Sequence, residues 1–354
     1  METKFARLFI FGKRFFPRIY AKQTEKINKK RIGKIIMKVL KNAAAIVVAV
    51  FMLVMPAGAE GEKKYIKWVD FGVTAQALAD AASLDIKSYE SGSRADWVSA
   101  LAHLGAKYGG DFSRYKKSDL KAAFEKLSAD PAAFDDEKYY PYYKQAYGAV
   151  ISGWLGEYYV RDGEKLTKKY GIKAFSPIAG GYYYSDYDDF GASRSYGYRR
   201  RHLGHDMLGS VGTPIIAMEA GYVEAVGWNM YGGWRIGIRS FDGLRYYYYA
   251  HMRKDHPFCG DIKEGDTVYA GQVIGYLGMT GYSAKKNVNN INVPHLHVGM
   301  QLIFDPSQKD GINQIWIDMY AITGFLSKYR SYVFKGDDGE YHAKNPTEDF
   351  SLPD

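Results

Sequence analysis

Two short runs carry residues whose types could hold a metal ion or move a proton. His202-Leu-Gly-His-Asp206 sets an imidazole and a carboxylate four residues apart, with Gly204 between them. His295-Leu-His297 sets two imidazoles two residues apart. Six of the eight histidines fall between 202 and 297. In an extended strand every second side chain shares a face, so His295 and His297 would look one way while Leu296 and Val298 enter a core. His202 and Asp206 share that parity if their segment is extended. Imidazole and carboxylate donors suit Zn²⁺, and a catalytic zinc typically takes three protein ligands and a water. Taken alone, His295-Leu-His297 reads equally well as an ordinary pair on a strand surface. A cysteine-based zinc site is excluded, because Cys259 is the only cysteine, and it leaves no intramolecular disulfide either.

The elements that must position these groups change character along the chain. Residues 60–165 read as helical, with apolar residues three and four apart in Ala75–Ala82, Trp97–Tyr108, Leu120–Leu127 and Tyr143–Tyr158. Gly109-Gly110 and Asp130-Pro131 break that pattern. From about Phe175, short β-rich runs alternate with turn residues: Gly212–Ala217, Gly221–Trp228, Trp234–Ser240, Leu244–Ala250, Thr267–Ala270, Val273–Tyr276 and Leu296–Phe304. Asp242-Gly243 between two of them is a hairpin signal. Strands this close, without helices between them, predict an antiparallel sheet or sandwich. Ile315–Tyr329 reads as one closing amphipathic helix, and 335–354 as a loose polar tail. The expectation is therefore an α+β protein: a leader over 1–59, a helical domain over 60–170, a β-core over 171–310, and a closing helix with tail over 311–354.

The net charge of +9 belongs to the leader. Residues 1–42 hold thirteen Lys/Arg against Glu2 and Glu25 and contribute +11, so the rest of the chain carries −2. That near-neutral body gives no electrostatic case for nucleic acid. Behind the basic stretch lies an apolar run, Ala43–Pro56, followed by Ala57-Gly58-Ala59. A basic segment, a short apolar segment and an A-x-A site describe a secretory signal peptide cleaved after Ala59. Met37 would begin a better-proportioned one than Met1. The second reading is an uncleaved membrane anchor through 43–59 with a basic cytoplasmic tail. Either way the body is expected outside the cytoplasm, secreted or tethered, and monomeric.

Around the two runs the chain resembles the M23 (lysostaphin/LytM-type) family of zinc peptidases, from about Phe175 to Phe304. The family's H-x-G-x-D motif stands as His202-Leu-Gly-His-Asp206, followed by Gly212-Thr213-Pro214. A histidine after a short strand stands in Tyr249-Ala250-His251. The turn Gly278-Met-Thr-Gly-Tyr-Ser283 precedes Pro294-His-Leu-His297. The resemblance implies a β-core of M23 type, with His202, Asp206 and His297 as zinc ligands and His251 and His295 as catalytic histidines that do not bind the metal. It implies His295 as general base and His251 as transition-state stabiliser, with the exchange left open, and an oxyanion hydrogen bond from Tyr196 or Tyr198. The implied activity is zinc-dependent endopeptidase, and the implied substrate the peptide part of peptidoglycan, in stem or cross-bridge.

Other residues are set aside. His205 points away from the ligands by strand parity and is expected to pack. His103 lies in a helical pattern, His256 in a loop, and Glu90 lacks the second carboxylate that glycoside hydrolysis needs. Ala284–Val293 forms a loop before His295 that either borders the cleft or is passive surface. A non-catalytic scaffold or activator of cell-wall hydrolases is the alternative, and should lack a ligand. A biotinyl or lipoyl carrier would need a lysine where the turn offers Met218-Glu219. No H-E-x-x-H occurs, which disfavours other zinc proteases.

Overall fold

A computed structural model describes residues 65–348, except Arg94, Gly197 and Ile312. The expected leader, with its apolar run and expected cleavage after Ala59, lies outside the described residues. So do the side chains of Tyr196 and Tyr198, and with them the expected oxyanion donor.

Four helices come first: α1 (Ala75–Glu90), α2 (Trp97–Tyr108), α3 (Lys117–Ala129) and α4 (Tyr140–Ile151). Their starts and stops follow side-chain chemistry. Thr74 Oγ1 accepts from the amide of Ala77, and Asp96 Oδ1 from that of Ser99, each satisfying a donor that a helix leaves unpaired at its first turn. Gly109 ends α2 at φ 65°, where a side chain would be strained. Among the described residues, no helix is long and apolar enough to cross a membrane.

The strands follow in order: β1 (Leu155–Asp162), β2 (Lys165–Ile172), β3 (Tyr184–Ser185), β4 (Ser193–Tyr196), β5 (Tyr198–Arg201), β6 (His205–Gly209), β7 (Pro214–Ile216), β8 (Gly221–Asn229) and β9 (Gly233–Ser240). Beyond them come β10 (Arg245–Ala250), β11 (Thr267–Val268), β12 (Val273–Tyr276), β13 (His295–Leu302), β14 (Ile315–Ile317), helix α5 (Tyr320–Leu326), β15 (Val333–Lys335), β16 (Tyr341–Ala343) and β17 (Thr347–Glu348). The main sheet runs β11-β8-β9-β10-β13-β6-β3, with β14 also paired to β13, and all of its pairings are antiparallel. The fold is thus α+β, helices first and an antiparallel sheet after them.

Period-two patterning explains which face of the sheet is buried. Leu296, Val298, Met300 and Leu302 of β13, Tyr247 and Tyr249 of β10, and Ile236 and Ile238 of β9 are fully buried together with residues of the helices in one core. Each such side chain contributes roughly 1.5–3 kcal/mol by leaving water. A polar joint fixes the helical layer to the sheet. Arg245 on β10 donates to both oxygens of Glu219 (2.7 and 3.0 Å), to Asp242 (2.6 Å) and to the carbonyl of Ala149 on α4 (2.8 Å). Tyr247 donates to Glu219 and receives the indole N–H of Trp154 at 2.9 Å. Gly153 is required beside this joint, since a Cβ there would stand 1.9 Å from Glu219 Oε1.

Three expectations are corrected. The helix foreseen over Tyr143–Tyr158 stops at Ile151, and Leu155–Asp162 pairs instead with Lys165–Ile172. The spacing of apolar residues there fits both periods, and Gly163 at φ 59° turns the chain back. The single helix over Ile315–Tyr329 is a strand followed by a short helix. Ile315 and Ile317 are buried where β14 takes the edge of β13 beyond β6, and the carboxylate of Asp318 accepts from the amide of Tyr320 to begin α5. The tail expected from 335 is ordered through 348: β15 pairs with β16, β17 pairs with β1, and Thr347 Oγ1 donates to the carbonyl of Ala270.

Candidate metal centre

The open face of the main sheet floors a cleft of about 860 Å³. Register decides what that face carries. His297 lies opposite Ala250 on one side and Asp206 on the other, while His295 lies opposite Leu208. Alternation therefore brings His295, His297 and Asp206 to the cleft while Leu296 and Val298 go to the core, as the strand parity of β13 predicts. His202 follows β5 and reaches the same point from the loop into β6.

Three donor atoms converge. His202 Nε2 lies 3.1 Å from Asp206 Oδ1 and 2.9 Å from His297 Nδ1, and His297 Nδ1 lies 3.0 Å from Asp206 Oδ1. Ligands about 2.0–2.1 Å from a tetrahedral ion stand roughly 3.3 Å apart, so this triangle is close to that of three ligands sharing one cation. The outer partners favour the same reading. Asp189 Oδ2 faces His202 Nδ1 at 3.1 Å, which places the ring proton there and turns the Nε2 lone pair toward the cluster. Arg194 bridges Asp189 and Asp206, reaching Oδ2 of the latter at 3.1 Å and leaving Oδ1 to the triangle.

Gly204 explains the middle of the H-x-G-x-D motif. A Cβ at that position would stand 2.5 Å from Cε1 and Nε2 of His297 and 2.9 Å from the carbonyl of Val298. The loop between His202 and β6 passes so close to the His297 ring that only a hydrogen fits.

The remaining two histidines flank the triangle. His295 Nδ1 faces the carbonyl of Val293 at 2.8 Å, and its Nε2 lies 3.7 Å from Asp206 Oδ1. His251 Nδ1 faces the carbonyl of Thr280 at 2.9 Å, and its ring centre is 4.8 Å from that of His295 and 5.9 Å from that of His297. In each ring Nδ1–H donates to the carbonyl, which leaves Nε2 with its lone pair. His251 adopts φ 61°, a conformation that costs a residue with a side chain about 1–2 kcal/mol. Its amide donates to Gly232 at 2.7 Å, and Gly281 lets the glycine turn press against its ring, where a Cβ would meet Nδ1 at 2.9 Å.

The electrostatics is that of crowded bases around one carboxylate. Burial raises the Asp206 carboxyl, but the His202 and His297 imidazoles beside it outweigh that and hold the group far below the usual carboxylate range. Burial, together with the neighbouring imidazoles His295 and His297, pushes His251 well down. Burial also lowers His297, against the opposing pull of Asp206. Neutral rings and an ionised carboxylate are the protonation states that a cation requires of its ligands.

All five residues singled out in the sequence meet here, and the others are elsewhere. His205 turns away to Asp186 at 2.9 Å and packs edge-on to Tyr320. His103 stacks on Phe134 and bonds Glu137, and His256 stacks on Tyr276 and pairs with Glu340. In the loop before His295, Asn287 accepts from Trp234 and from the amide of Asp255, while Val293 lines the cleft. Asp189 and Arg194 were not foreseen, because their part depends on the β4–β5 hairpin folding back on the cluster, and no spacing records that.

An α+β chain with three metal-donor groups and two free imidazoles on an open sheet face is the class that fold and cluster define. Residues 200–310 match the model of Peptidase family M23. An L-Ala--D-Glu endopeptidase of Bacillus subtilis (strain 168) is 42% identical over 117 residues, covering 33% of this chain and 34% of that one. A glycyl-glycine endopeptidase, ALE-1, of Staphylococcus capitis is 40% identical over 97 residues, covering 27% of this chain and 23% of that one. The solved catalytic domain of the antimicrobial peptidase lysostaphin from Staphylococcus simulans is 33% identical, with 34% of this chain and 80% of that one covered at a TM-score of 0.28. The chain thus spans about a third or less of the two full-length relatives it matches. The chain belongs to peptidase family M23.

Proposed function

We propose that this chain is a zinc-dependent endopeptidase that cleaves peptides of peptidoglycan outside the cytoplasm. The observation that carries the reading is the triangle of His202 Nε2, Asp206 Oδ1 and His297 Nδ1, each atom within 3.1 Å of the other two. Two imidazole nitrogens and a carboxylate oxygen suit zinc in a site that keeps a position for water. When bound, zinc supplies Lewis acidity toward the scissile carbonyl and acidifies a water.

The chain's own residues handle the protons. His295 presents Nε2 nearest the cluster and is the general base: it takes a proton from the attacking water and passes it to the leaving amine. Its Nδ1 stays fixed on Val293, so the ring cannot turn its accepting nitrogen away. His251 presents a second Nε2 from the other side. It donates to a developing oxyanion only once that nitrogen carries a proton, which its burial opposes. The proton-accepting role is therefore open to both rings, and position favours His295. Asp189 and Arg194 hold His202 and Asp206 in their orientations.

Peptidoglycan as substrate is inferred from family membership together with the export signal expected before residue 60. The relatives are named for different bonds, an L-Ala–D-Glu linkage in one and a glycyl-glycine linkage in the other. Helix α4 is tied to the sheet through the Arg245 joint. A non-catalytic scaffold is not favoured, because none of the five groups is missing.

The test is to assay the full-length protein and its His297→Ala variant on cell-wall sacculi, with metal analysis of both. The parent is expected to carry one zinc per chain and to release peptides, and the variant to do neither. Equal activity in the two, or a parent that takes up no zinc, overturns the reading.

A further inference from the structure

The cleft floor carries a charged group that neither the candidate metal centre nor the flanking histidines use. Arg235 stands on β9 opposite Gly227 of β8, on the sheet face shared by Tyr246, Tyr248 and His297, and it lines the same cleft. Its Nη1 is buried with no hydrogen-bond partner. A guanidinium is ionised throughout the physiological range, and a buried donor of that kind is costly to leave unpaired.

The neighbouring cations are already engaged. Arg194 pairs with Asp189 and Asp206, Lys309 with Glu224, and Arg200 lies over the rings of Tyr231 and Tyr282. Asp310 also lines the cleft, yet among the described residues no carboxylate forms an ion pair with Arg235. Opposite Arg235, Gly227 leaves the sheet face clear of a side chain, and a Cβ there would meet no atom within 4 Å. The distance to the chemistry is short: Tyr248 packs edge-on to His297 with ring centres 6.0 Å apart, and Arg235 stands on the strand next to that of Tyr248.

We propose that Arg235 is a specificity-determining residue that pairs with a free carboxylate of the bound peptide, so that the cleft takes a carboxylate-bearing stem peptide rather than an all-glycine bridge. The inference rests on the peptidase reading above. A planar guanidinium matches a carboxylate through two parallel hydrogen bonds, which an amide or a bare glycine cannot reproduce.

The test compares stem peptides whose acidic residue beside the scissile bond is either free or converted to its carboxamide, with pentaglycine as a third substrate. Zinc-loaded full-length protein is expected to favour the free acid about 10- to 100-fold in kcat/KM. Arg235→Gln is expected to erase that preference by slowing the acid alone, and Arg235→Lys to keep part of it. Equal rates on acid and amide, a preference for pentaglycine, or an equal slowing of acid and amide by Arg235→Gln overturns the proposal. Calorimetric binding of the same peptides to the metal-free protein separates the two readings. Selective binding of the acid through Arg235 without any cleavage sinks the peptidase and leaves the carboxylate site standing. Cleavage of acid and amide alike does the reverse.

Discussion

The helical layer and the cleft face of the sheet both bury carboxylates, and they use them differently. In the helices each carboxylate closes a local circuit: Asp80 receives Lys117 at 2.6 Å and Tyr115 at 2.9 Å, and Asp85 receives the amide of Trp97 and the hydroxyl of Tyr170. Their partners are donors, so the groups are satisfied within the fold. On the cleft face Asp206 meets two imidazole nitrogens whose own protons are engaged elsewhere or scarce, and lone pairs converge on one point. The lesson is that burial alone does not mark a site. A surplus of acceptors over protons does, because a bound cation can satisfy several acceptors at once.

Removing the cation or one of its donors should break that comparison most completely. Chelation, or His297→Ala, is expected to lower kcat/KM by at least about 10³-fold, since the Lewis acid and its acidified water are lost together. Added zinc should restore the chelated parent but not the variant. Asp85→Asn in the helical layer should leave kcat/KM within about twofold. If Asp85→Asn matched the loss seen in His297→Ala, the division between the two regions would fail.

The joint between the regions should give the largest effect on stability. Glu219→Ala strands Arg245, which is 1% exposed, with one carboxylate fewer in a buried network. Breaking such a pair costs about 3–5 kcal/mol, far more than a surface pair. Denaturant titration should show the loss, and the refolded variant should still bind zinc. A change below about 1 kcal/mol would mean that the apolar contacts hold the layers together without the network.

A narrower test addresses the loop that threads past His297. Gly204→Ala would push a methyl to within 2.5 Å of the ring. We expect zinc affinity to fall about 10- to 100-fold while the unfolding midpoint of the metal-free protein hardly moves. Unchanged affinity would show that the ring yields at no cost, and that the glycine is not what sets its position.

These contrasts also mark what the chain revealed before its structure. The three donor residues were named through the resemblance to the M23 family; strand parity alone put His295 and His297 on one face and did not say which of them joins His202 and Asp206. Asp242-Gly243 likewise announced the β9–β10 turn, where Gly243 takes φ 75°. The hairpin at 155–172 was missed because Leu155–Asp162 has helical as well as strand spacing, and its pairing with β17 comes from residues almost 190 positions later. Arg194, Asp189 and Arg235 were illegible for a related reason. Each matters through neighbours that only tertiary pairing supplies, and an isolated arginine in a strand reads as solvated surface.

The smallest effect belongs to Cys259, which tests whether half-buried reactive groups away from the cleft are quiet. Its Sγ lies 3.5 Å from the carbonyl of Tyr341 on the C-terminal hairpin. Burial pushes the thiol up to about 11, with the charge of Glu340 adding to it against a lowering contact from Tyr276. The raised value keeps the proton on sulfur at neutral pH, and only the thiolate reacts with iodoacetamide. At pH 8 the alkylation rate should therefore be roughly 100-fold below that of a free cysteine, whose pKa is about 8.5. It should climb about tenfold per pH unit up to pH 10 and level off above 11. Reaction at the free-cysteine rate at pH 8 would mean that the hairpin opens often enough to expose the thiol, and that the ordered tail does not seal this side of the core.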